Sequence, residues 1–345
     1  MTDFQRLITD WYRLNLRDLP WRSTRDPYKI WMSEIILQQT RVDQGLAYYN
    51  KFILKYPDII SLANASEQEV LALWQGLGYY SRARNLHYTA KDISTRLKGV
   101  FPKEHKEILS LKGVGEYTAA AIASFAFDLV YPVVDGNVYR LLSRFFGIDL
   151  PIDSTEGKKE FKRLAEELIL PKDPALYNQS IMEFGALQCV PKSPSCIDCV
   201  LKEGCFAYNK GLVDKLPVKK NKVKVRKRFF YYLFIVDDDY LFIKKRELKD
   251  IWQNMYEFPM FETDEEIAED ELVDLYKSNF NVNLSRFVKL KKHILSHQHI
   301  YSIVGFLDTS QINEGFDFQK VLKEDVVDYP LPRLIDLFLE EQNIL

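Results

Sequence analysis

Two acidic residues in the N-terminal half of this 345-residue chain stand where a carboxylate can take part in catalysis. Glu34 shares a helical face with Ile30 and Leu37, and apolar neighbours favour the protonated form of a carboxyl group. Asp135 precedes a helix that begins at Gly136, where amide hydrogen bonds keep a capping carboxylate ionised. We therefore predict pKa shifts in opposite directions, which suit an acid and an anion in glycosidic bond cleavage. An exposed helical glutamate and a purely structural helix cap are the plain alternatives.

A Gly-x-Gly turn separates two predicted helices between residues 109 and 119. Gly113 and Gly115 have no Cβ, so a phosphate can approach the backbone, and the amides that begin the second helix supply hydrogen-bond donors. Lys112 precedes the first glycine and is interpreted as a phosphate contact. A helix C-cap followed by a tight turn explains the same glycines without any ligand.

The four cysteines of the chain lie close together, with the spacing C-x6-C-x2-C-x5-C: Cys189, Cys196, Cys199 and Cys205. A disulfide framework would spread them along the chain, so a metal site is the better interpretation. Four thiolates suit tetrahedral zinc or an iron–sulfur cluster, and zinc ribbons usually have two CxxC pairs where this chain has one. The spacing therefore favours [4Fe–4S]. Three lysines in or after this loop are expected to face phosphates or solvent: Lys192, Lys202 and Lys210.

The net charge of −2 hides an uneven distribution of charge along the chain. Residues 1–228 carry 35 basic and 26 acidic side chains, whereas residues 229–345 carry 12 and 23. The N-terminal part is therefore the one suited to a polyanion. No apolar run approaches the roughly 18 residues that a membrane helix needs, so we expect a cytoplasmic protein without membrane contact.

The first 185 residues show the apolar periodicity of successive short helices. Asp26 suits the N-cap and Pro27 the first position of one of them. The pattern predicts helices over residues 27–37, 67–74, 80–97, 104–111, 116–127, 136–146, 157–169 and 174–186.

The residue composition changes near residue 229. Residues 215–228 contain eight basic residues and no acid, which predicts an extended, solvated linker, either a plain tether or a DNA contact. Aromatic and β-branched runs then predict strands over 229–236, 240–243 and 300–307. The second half should therefore be an α+β domain.

The Gly-x-Gly segment resembles the helix-hairpin-helix of DNA repair glycosylases, and three further motifs extend the likeness. They are Ser33-Glu34-Ile35-Ile36-Leu37-Gln38-Gln39-Thr40, Gly76-Leu77-Gly78-Tyr79-Tyr80 and Val134-Asp135-Gly136-Asn137-Val138-Tyr139-Arg140. With the cysteines, residues 1 to about 210 resemble the MutY family of adenine DNA glycosylases. The resemblance implies an all-α helix-hairpin-helix glycosylase domain with a [4Fe–4S] loop, followed by an α+β Nudix-like (MutT-like) domain.

The resemblance also implies catalytic roles for four residues. Glu34 protonates the flipped adenine at N7, and Asp135 stabilises the sugar cation or traps it covalently. Tyr117 and Asn137 position the acid and the nucleophile. Bifunctional glycosylases of the endonuclease III type have a lysine where this chain has Tyr117, so the resemblance implies a monofunctional enzyme.

Contacts with DNA follow from the same likeness. Three residues are expected to fill or wedge the stack that the flipped base leaves: Gln39, Leu77 and Tyr79. Lys112, Gly113 and Gly115 are expected at the DNA backbone, although members of the family often have proline in place of Lys112.

The segment from His293 to His297 aligns with a Phe-Ser-His tip that the family uses to recognise 8-oxoguanine. Leu295 replaces the phenylalanine, while Ser296 and either His293 or His297 can donate hydrogen bonds. The acidic hydrolase box of Nudix enzymes is missing from the sequence, so we do not expect nucleotide hydrolysis.

The expected partner is double-stranded DNA containing adenine opposite 8-oxoguanine or guanine, bound by a monomer. The expected domains are a helix-hairpin-helix domain at 27–131, an iron–sulfur domain at 1–26 with 132–210, a basic linker at 211–228 and a recognition domain at 229–345. Two alternatives stay open at this point: an endonuclease III-type glycosylase/lyase and a catalytically inert iron–sulfur DNA-binding protein.

Overall fold

The structure is a computed structural model that describes residues 1–221, 224–282, 284, 286–307 and 318–345. Its backbone contacts divide the chain into two compact units, residues 1–63 with 88–222 and residues 64–87 with 223–345. The first is helical and the second combines a mixed sheet with helices, so the predicted fold class is confirmed. Residues 64–87 fall in the second unit, whereas the sequence-based division assigns them to the helix-hairpin-helix domain; that division stays a prediction.

Twelve α-helices lie in the described residues before the sheet. They are α1 Asp3–Asn15, α2 Pro27–Leu37, α3 Val42–Lys55, α4 Ile59–Asn64, α5 Glu67–Leu73, α6 Ser81–Arg96, α7 His105–Leu109, α8 Glu116–Phe127, α9 Gly136–Phe146, α10 Thr155–Leu168, α11 Pro174–Leu187 and α12 Phe206–Lys210. The eight predicted helices are confirmed to within three residues at their ends, and α1, α3, α4 and α12 are additional. Within the part of the chain described, no helix is long and apolar enough to cross a bilayer.

A hydrophobic core joins the N-terminal helix to the helices before the cysteine loop. Phe4 and Ile8 of α1 pack with Leu142 of α9, Phe161 of α10 and Phe184 of α11, and each is 6% exposed or less. Two of the four cysteines pack, partly buried, against the same cluster. The first and last segments of this unit therefore share one core, and the cysteine loop rests on it.

The described residues of the second unit form eight strands. They are β1 Arg226–Asp237, β2 Tyr240–Lys245, β3 Tyr256–Glu257, β4 Met260–Thr263, β5 Arg286–Lys289, β6 His293–Ile294, β7 Gln298–Leu307 and β8 Gln319–Leu322, with helices α13 Leu272–Phe280 and α14 Arg333–Glu341. The sheet order is β3-β2-β1-β7-β5, and β4, β6 and β8 pair with β1, β7 and β2. Only the β1–β7 pairing is parallel among the described strands.

Both faces of β1 are buried, which explains its unbroken run of large apolar and aromatic side chains. Tyr231 and Leu233 enter a core shared with Tyr276 of α13. On the opposite face, the Phe234 ring packs edge-on against Phe338 of α14, with ring centres 5.0 Å apart.

The basic stretch differs from its prediction at the C-terminal end. Arg226–Arg228 belong to β1, and Arg228 is only 5% exposed. Its guanidinium donates to the Glu262 carboxylate at 2.6 and 2.5 Å and to Asp250 at 2.7 Å. The prediction of a solvated linker up to residue 228 was wrong here, because two carboxylates distant in sequence compensate the buried charge.

The start of the same stretch is also held by hydrogen bonds. The Val218 carbonyl accepts a hydrogen bond from the Ile152 amide at 3.0 Å. The Asp153 carboxylate accepts from the amides of Lys220 and Asn221 at 2.9 and 2.8 Å. Residues 218–221 therefore follow the surface of the first unit, and residues 222–223 lie outside the described part of the chain.

Candidate active site

Glu34 is carried into the interior by α2, a helix in which residues 30–36 are all buried. As predicted, the Asp26 carboxylate caps this helix by accepting from the Tyr28 amide at 2.9 Å, and Pro27 is the first helical residue. The residues around Glu34 on the helix are buried: Ile30, Trp31, Met32, Ile35 and Ile36. Glu34 itself is 7% exposed, so its carboxyl group has lost most of its contact with water.

Burial raises the pKa of Glu34 to about 7. The Tyr117 hydroxyl donates a hydrogen bond to the Glu34 carboxylate and opposes this rise. The negative charge of Asp135 adds to it, and the positive charge of Arg22 opposes it. Burial also raises the pKa of Tyr117, so the phenol stays protonated and remains a donor. A carboxyl group with this pKa is present in both protonation states at neutral pH, as a general acid requires.

Asp135 is the N-cap of α9, as predicted. Its Oδ1 accepts from the amides of Asn137 and Val138 at 2.9 and 2.8 Å, and its Oδ2 accepts from Asn137 Nδ2 at 2.7 Å. Burial nevertheless raises the pKa of Asp135, and these hydrogen bonds and the charge of Arg140 only oppose the rise. The prediction of opposite pKa shifts for Glu34 and Asp135 was therefore wrong in sign for Asp135, because desolvation outweighs the cap.

Arg140 connects this carboxylate to the backbone of the cysteine loop. Its Nη2 donates to Asn137 Oδ1 at 2.9 Å and to the Gly185 carbonyl at 2.6 Å, and its Nε donates to the Cys189 carbonyl at 2.7 Å. A continuous hydrogen-bonded path therefore runs from Asp135 through Asn137 and Arg140 to a cysteine. The sequence analysis gave this arginine no role, since Gly185 and Cys189 lie 45 and 49 residues away in the chain.

The hairpin between α7 and α8 has the backbone that the Gly-x-Gly pattern indicates. Gly113 has a φ of +81°, a conformation that side-chain-bearing residues rarely adopt. Gly115 is the N-cap of α8, and its lack of a side chain leaves the first amides of that helix without a side-chain cap. A Cβ at Gly115 would meet no atom within 4 Å, so packing does not require glycine there. Lys112 is exposed beside this open surface.

Two of the three predicted wedge residues have left-handed backbone conformations. The φ angles are +59° at Gln39 and +48° at Tyr79, and both side chains are exposed. Strained conformations of this kind are held by their surroundings and concentrate at functional sites. Leu77 differs, because it is 7% exposed and its side chain lies beneath the surface of the turn.

The turn that carries Tyr79 is held by hydrogen bonds from the side chains of Trp74 and Arg82. Trp74 Nε1 donates to the Gly78 carbonyl at 3.0 Å, and Arg82 Nη2 donates to the carbonyls of Leu77 and Gly78 at 3.3 and 3.1 Å. The Arg82 guanidinium also lies over the Trp74 ring, 5.0 Å from its centre. These contacts hold the strained turn in one conformation.

Within the same unit, the Tyr79 hydroxyl is hydrogen-bonded to the Ser296 hydroxyl. Ser296 and His297 form the exposed tip between β6 and β7, closed by a hydrogen bond from the Leu295 amide to the Gln298 carbonyl at 2.8 Å. One predicted wedge residue, Tyr79, is therefore adjacent to the predicted recognition tip.

The two histidines of this segment have different surroundings. The His293 ring packs edge-on against Trp252 with ring centres 5.7 Å apart, and burial lowers its pKa. His297 is exposed at the tip, and Leu295 is half-buried. His297 is therefore the histidine that a base can reach.

The four cysteines are free thiols that line one small cavity with Leu141, Phe145 and Leu201. Arg144 donates to Cys189 Sγ at 3.4 Å and to the carbonyls of Val190 and Pro191 at 2.8 and 3.1 Å. Across the described residues, no three or more His, Cys, Asp or Glu side chains are arranged to hold a single metal ion. Cys189, Cys196, Cys199 and Cys205 are the side chains of this cavity that could bind a metal, in a largely apolar lining beside Arg144.

The lysines of the cysteine loop are not equivalent. Lys202 Nζ donates to the Ile197 carbonyl at 3.1 Å, so it stabilises the loop itself. Lys192 and Lys210 are exposed and can reach an external phosphate.

Comparison with known proteins adds family relationships to this geometry. Residues 32–171 match the HhH-GPD superfamily base excision DNA repair protein family, and residues 231–341 match the NUDIX domain family. The chain is 35% identical over 295 residues to an adenine DNA glycosylase of Buchnera aphidicola subsp. Acyrthosiphon pisum, covering 85% of this chain and 83% of the relative. This chain belongs to the adenine DNA glycosylase family.

Three further similar proteins, one by sequence and two by structure, match a smaller part of this chain. The adenine DNA glycosylase of Mus musculus is 42% identical over 229 residues, 63% of this chain and 44% of the relative. A solved thermostable thymine-DNA glycosylase is 32% identical with a TM-score of 0.56, covering 60% of this chain and 95% of its own. A non-covalent endonuclease III–DNA complex is 20% identical with a TM-score of 0.53, and the match covers 61% of this chain and 99% of that chain. At this identity the likeness shows the fold alone.

Proposed function

We propose that this member of the adenine DNA glycosylase family removes adenine from double-stranded DNA by hydrolysing its N-glycosidic bond. The observation that carries the proposal is Glu34, a buried carboxyl group with a pKa of about 7, hydrogen-bonded to Tyr117 and influenced by the charge of Asp135. A base inside a duplex cannot reach a buried carboxyl group, so the nucleotide has to be flipped out of the stack.

Each side chain then has one task in the proposed reaction. Glu34 donates its proton to N7 of the flipped adenine, which makes the base a better leaving group. Asp135 stabilises the positive charge that develops on the sugar, or traps it covalently, before water attacks. Tyr117 orients Glu34 by its hydrogen bond, and Asn137 orients Asp135 through its amide group. Tyr117 has no amine, which supports a monofunctional enzyme over one that forms a Schiff base.

The base opposite the adenine is proposed to be 8-oxoguanine or guanine. The exposed hydroxyl of Ser296 and the ring of His297 are the proposed donors to that base, and the bond between Ser296 and Tyr79 supports a shared site. Gln39 and Tyr79 are the proposed wedges, while Leu77 supports the turn from beneath. Gly113, Gly115 and Lys112 are proposed to contact the DNA backbone.

We further propose that Cys189, Cys196, Cys199 and Cys205 hold a [4Fe–4S] cluster. Four thiols around one apolar cavity support it, since thiolates are the ligands of such clusters. A cluster bound by these cysteines would cross-link the loop, and neither carboxylate step needs an electron from it. The loop would then present Lys192 and Lys210 to DNA. We propose that the enzyme acts as a monomer.

The direct test is base release from a defined duplex containing adenine opposite 8-oxoguanine. The proposed enzyme releases free adenine and leaves an abasic site, and the strand is cut only after alkali treatment. Strand cleavage without alkali would instead indicate an endonuclease III-type lyase. Tight binding of the duplex without any base release would indicate the catalytically inert alternative.

A further inference from the structure

Lys112, just before the Gly-x-Gly turn, is held from two directions by helix α6. Its ammonium group lies over the ring of Tyr88, 4.2 Å from the ring centre. Its carbonyl accepts a hydrogen bond from Thr89 Oγ1 at 2.9 Å. Neighbouring residues of one helix therefore fix both the side chain and the backbone of this lysine.

The position of Tyr88 is unusual for a large aromatic residue, because the side chain is 56% exposed. It is not needed to fill the core, and the contact that it makes with Lys112 is at the surface. Among the described residues, Lys112 forms no ion pair, and the nearby Glu116 is already paired with Lys162 at 3.7 Å. The ammonium group is therefore available to an anion from outside the protein.

The surface next to this pair is open. Gly113 takes a left-handed conformation, and a Cβ at Gly115 would meet nothing within 4 Å. The first amides of α8 lack a side-chain cap. Their partial positive charge lies at the N-terminus of the helix, which directly follows the Gly-x-Gly turn. An anion that approaches the hairpin can meet both a fixed ammonium group and free amides.

We propose that Tyr88 and Lys112 form one composite contact to the DNA backbone, in which Tyr88 is a positioning residue. The aromatic ring attracts the ammonium group through its negative face and restricts the flexible lysine side chain to the hairpin turn. Less conformational freedom is then lost when a phosphate binds, so the lysine contributes more to affinity than a mobile one does. This inference rests on the proposed function, in which the hairpin binds DNA.

A double-mutant cycle tests the coupling in the full-length protein. The probe is a fluorescein-labelled duplex of ordinary sequence without a mispair, and its Kd is measured by anisotropy at several KCl concentrations. Lys112→Ala should weaken binding and reduce the slope of log Kd against log salt by about 0.9, as expected for one lost phosphate contact. Tyr88→Leu should weaken binding roughly two- to five-fold, while Tyr88→Phe, which keeps the ring, should bind like the parent.

The decisive comparison is Tyr88→Leu in the Lys112→Ala background, where it should have no further effect. The same loss in both backgrounds, or no loss in either, would overturn the composite contact. An equal loss for Tyr88→Phe and Tyr88→Leu would also overturn it, because the ring would then not be responsible. Thermal melting of each variant shows whether the fold is kept, and Tyr88 is exposed enough for all to remain folded.

Adenine release by the parent, measured in parallel, separates this inference from the proposed function. A parent that releases adenine but shows additive losses rejects only the composite contact. A parent that neither binds the duplex nor releases adenine rejects both.

Discussion

At the scale of single residues, the proposed chemistry depends on one carboxyl group that remains partly protonated at neutral pH. Glu34 has that property because α2 buries it, and Tyr117 moderates the effect by donating to the carboxylate. Asp135 is half-buried, yet it accepts hydrogen bonds from two amides and a side chain that favour its charged form. The two carboxyl groups therefore differ in their hydrogen bonds rather than in the direction of their pKa shifts.

The pH dependence of adenine release follows from the pKa of Glu34. A general acid works only while protonated, so the single-turnover rate constant should fall by about tenfold per pH unit above a pH of about 7. Duplex affinity measured over the same range is the control, since binding is not expected to follow this profile. A rate constant that is flat from about pH 6 to pH 9 would show that Glu34 is not the proton donor.

The same pKa predicts a stability effect. The raised pKa in the folded state means that the native protein binds more protons than the unfolded chain between about pH 4.5 and 7, so this site loses stability as pH rises through that window. Glu34→Gln removes the buried charge and should raise Tm at pH 8, with little change at pH 4.5. The free energy of unfolding at pH 8 should increase by no more than about 3 kcal/mol. Melting curves at both pH values check the sign, and a lower Tm for the variant at pH 8 would contradict it.

At the scale of elements, the position of the capped carboxylate depends on a close approach of α9 and α11. A Cβ at Gly185 of α11 would lie 2.8 Å from the Asn137 carbonyl oxygen and 2.9 Å from its Cβ. Backbone atoms cannot move aside cheaply, so Gly185 is required where the helices meet.

Gly185→Ala should therefore displace Asn137 and the end of α9. We expect a loss of about 1–3 kcal/mol in stability from overpacking, and a loss of adenine release larger than the loss of duplex affinity. Gly136→Ala is the matched control for stability, because its Cβ would meet nothing within 4 Å. Similar melting temperatures for the two variants would show that the helix contact is not constrained as described.

Helices and strands could be predicted from the sequence where neighbouring residues determine their position. Asp26 and Pro27 mark the start of α2, and the aromatic run of β1 predicts a strand. Arg228 was predicted to be solvated because its carboxylate partners lie 22 and 34 residues away in the chain. The sign of the Asp135 pKa shift was missed because it depends on desolvation by packing, which local sequence does not show.

At the scale of the whole molecule, charge is divided between the two parts of the chain. The residues up to Arg228 are net positive and those after it are net negative. The later part is therefore a poor source of general phosphate affinity, and its contribution should be selectivity for the base opposite adenine. Ser296 at the exposed tip is the side chain that best fits this task.

Ser296→Ala should reduce the preference for adenine opposite 8-oxoguanine over adenine opposite guanine by roughly tenfold, because one good base contact is worth about 1–3 kcal/mol. Rate constants on the two duplexes give the ratio directly. Ser278→Ala, at an exposed serine of α13, is the control and should leave the ratio unchanged. An unchanged ratio for Ser296→Ala would remove the recognition role from this tip.

The cysteine loop makes a prediction about composition. Purified protein should contain iron rather than zinc and absorb visible light, and Cys199→Ala should lose both the iron and most of the duplex affinity. Elemental analysis with an absorption spectrum measures the first, and anisotropy the second. Stoichiometric zinc in anaerobically prepared protein would contradict the cluster.

The measurement that tests the central claim most directly is single-turnover adenine release by Glu34→Gln from a duplex with adenine opposite 8-oxoguanine. The substitution keeps the shape of the side chain and removes the proton that it donates. We expect a rate constant lower by about 10²–10⁴-fold or more, with duplex affinity close to that of the parent. Adenine release at the parent rate by a folded Glu34→Gln protein would contradict the assignment of Glu34 as the acid and the mechanism built on it.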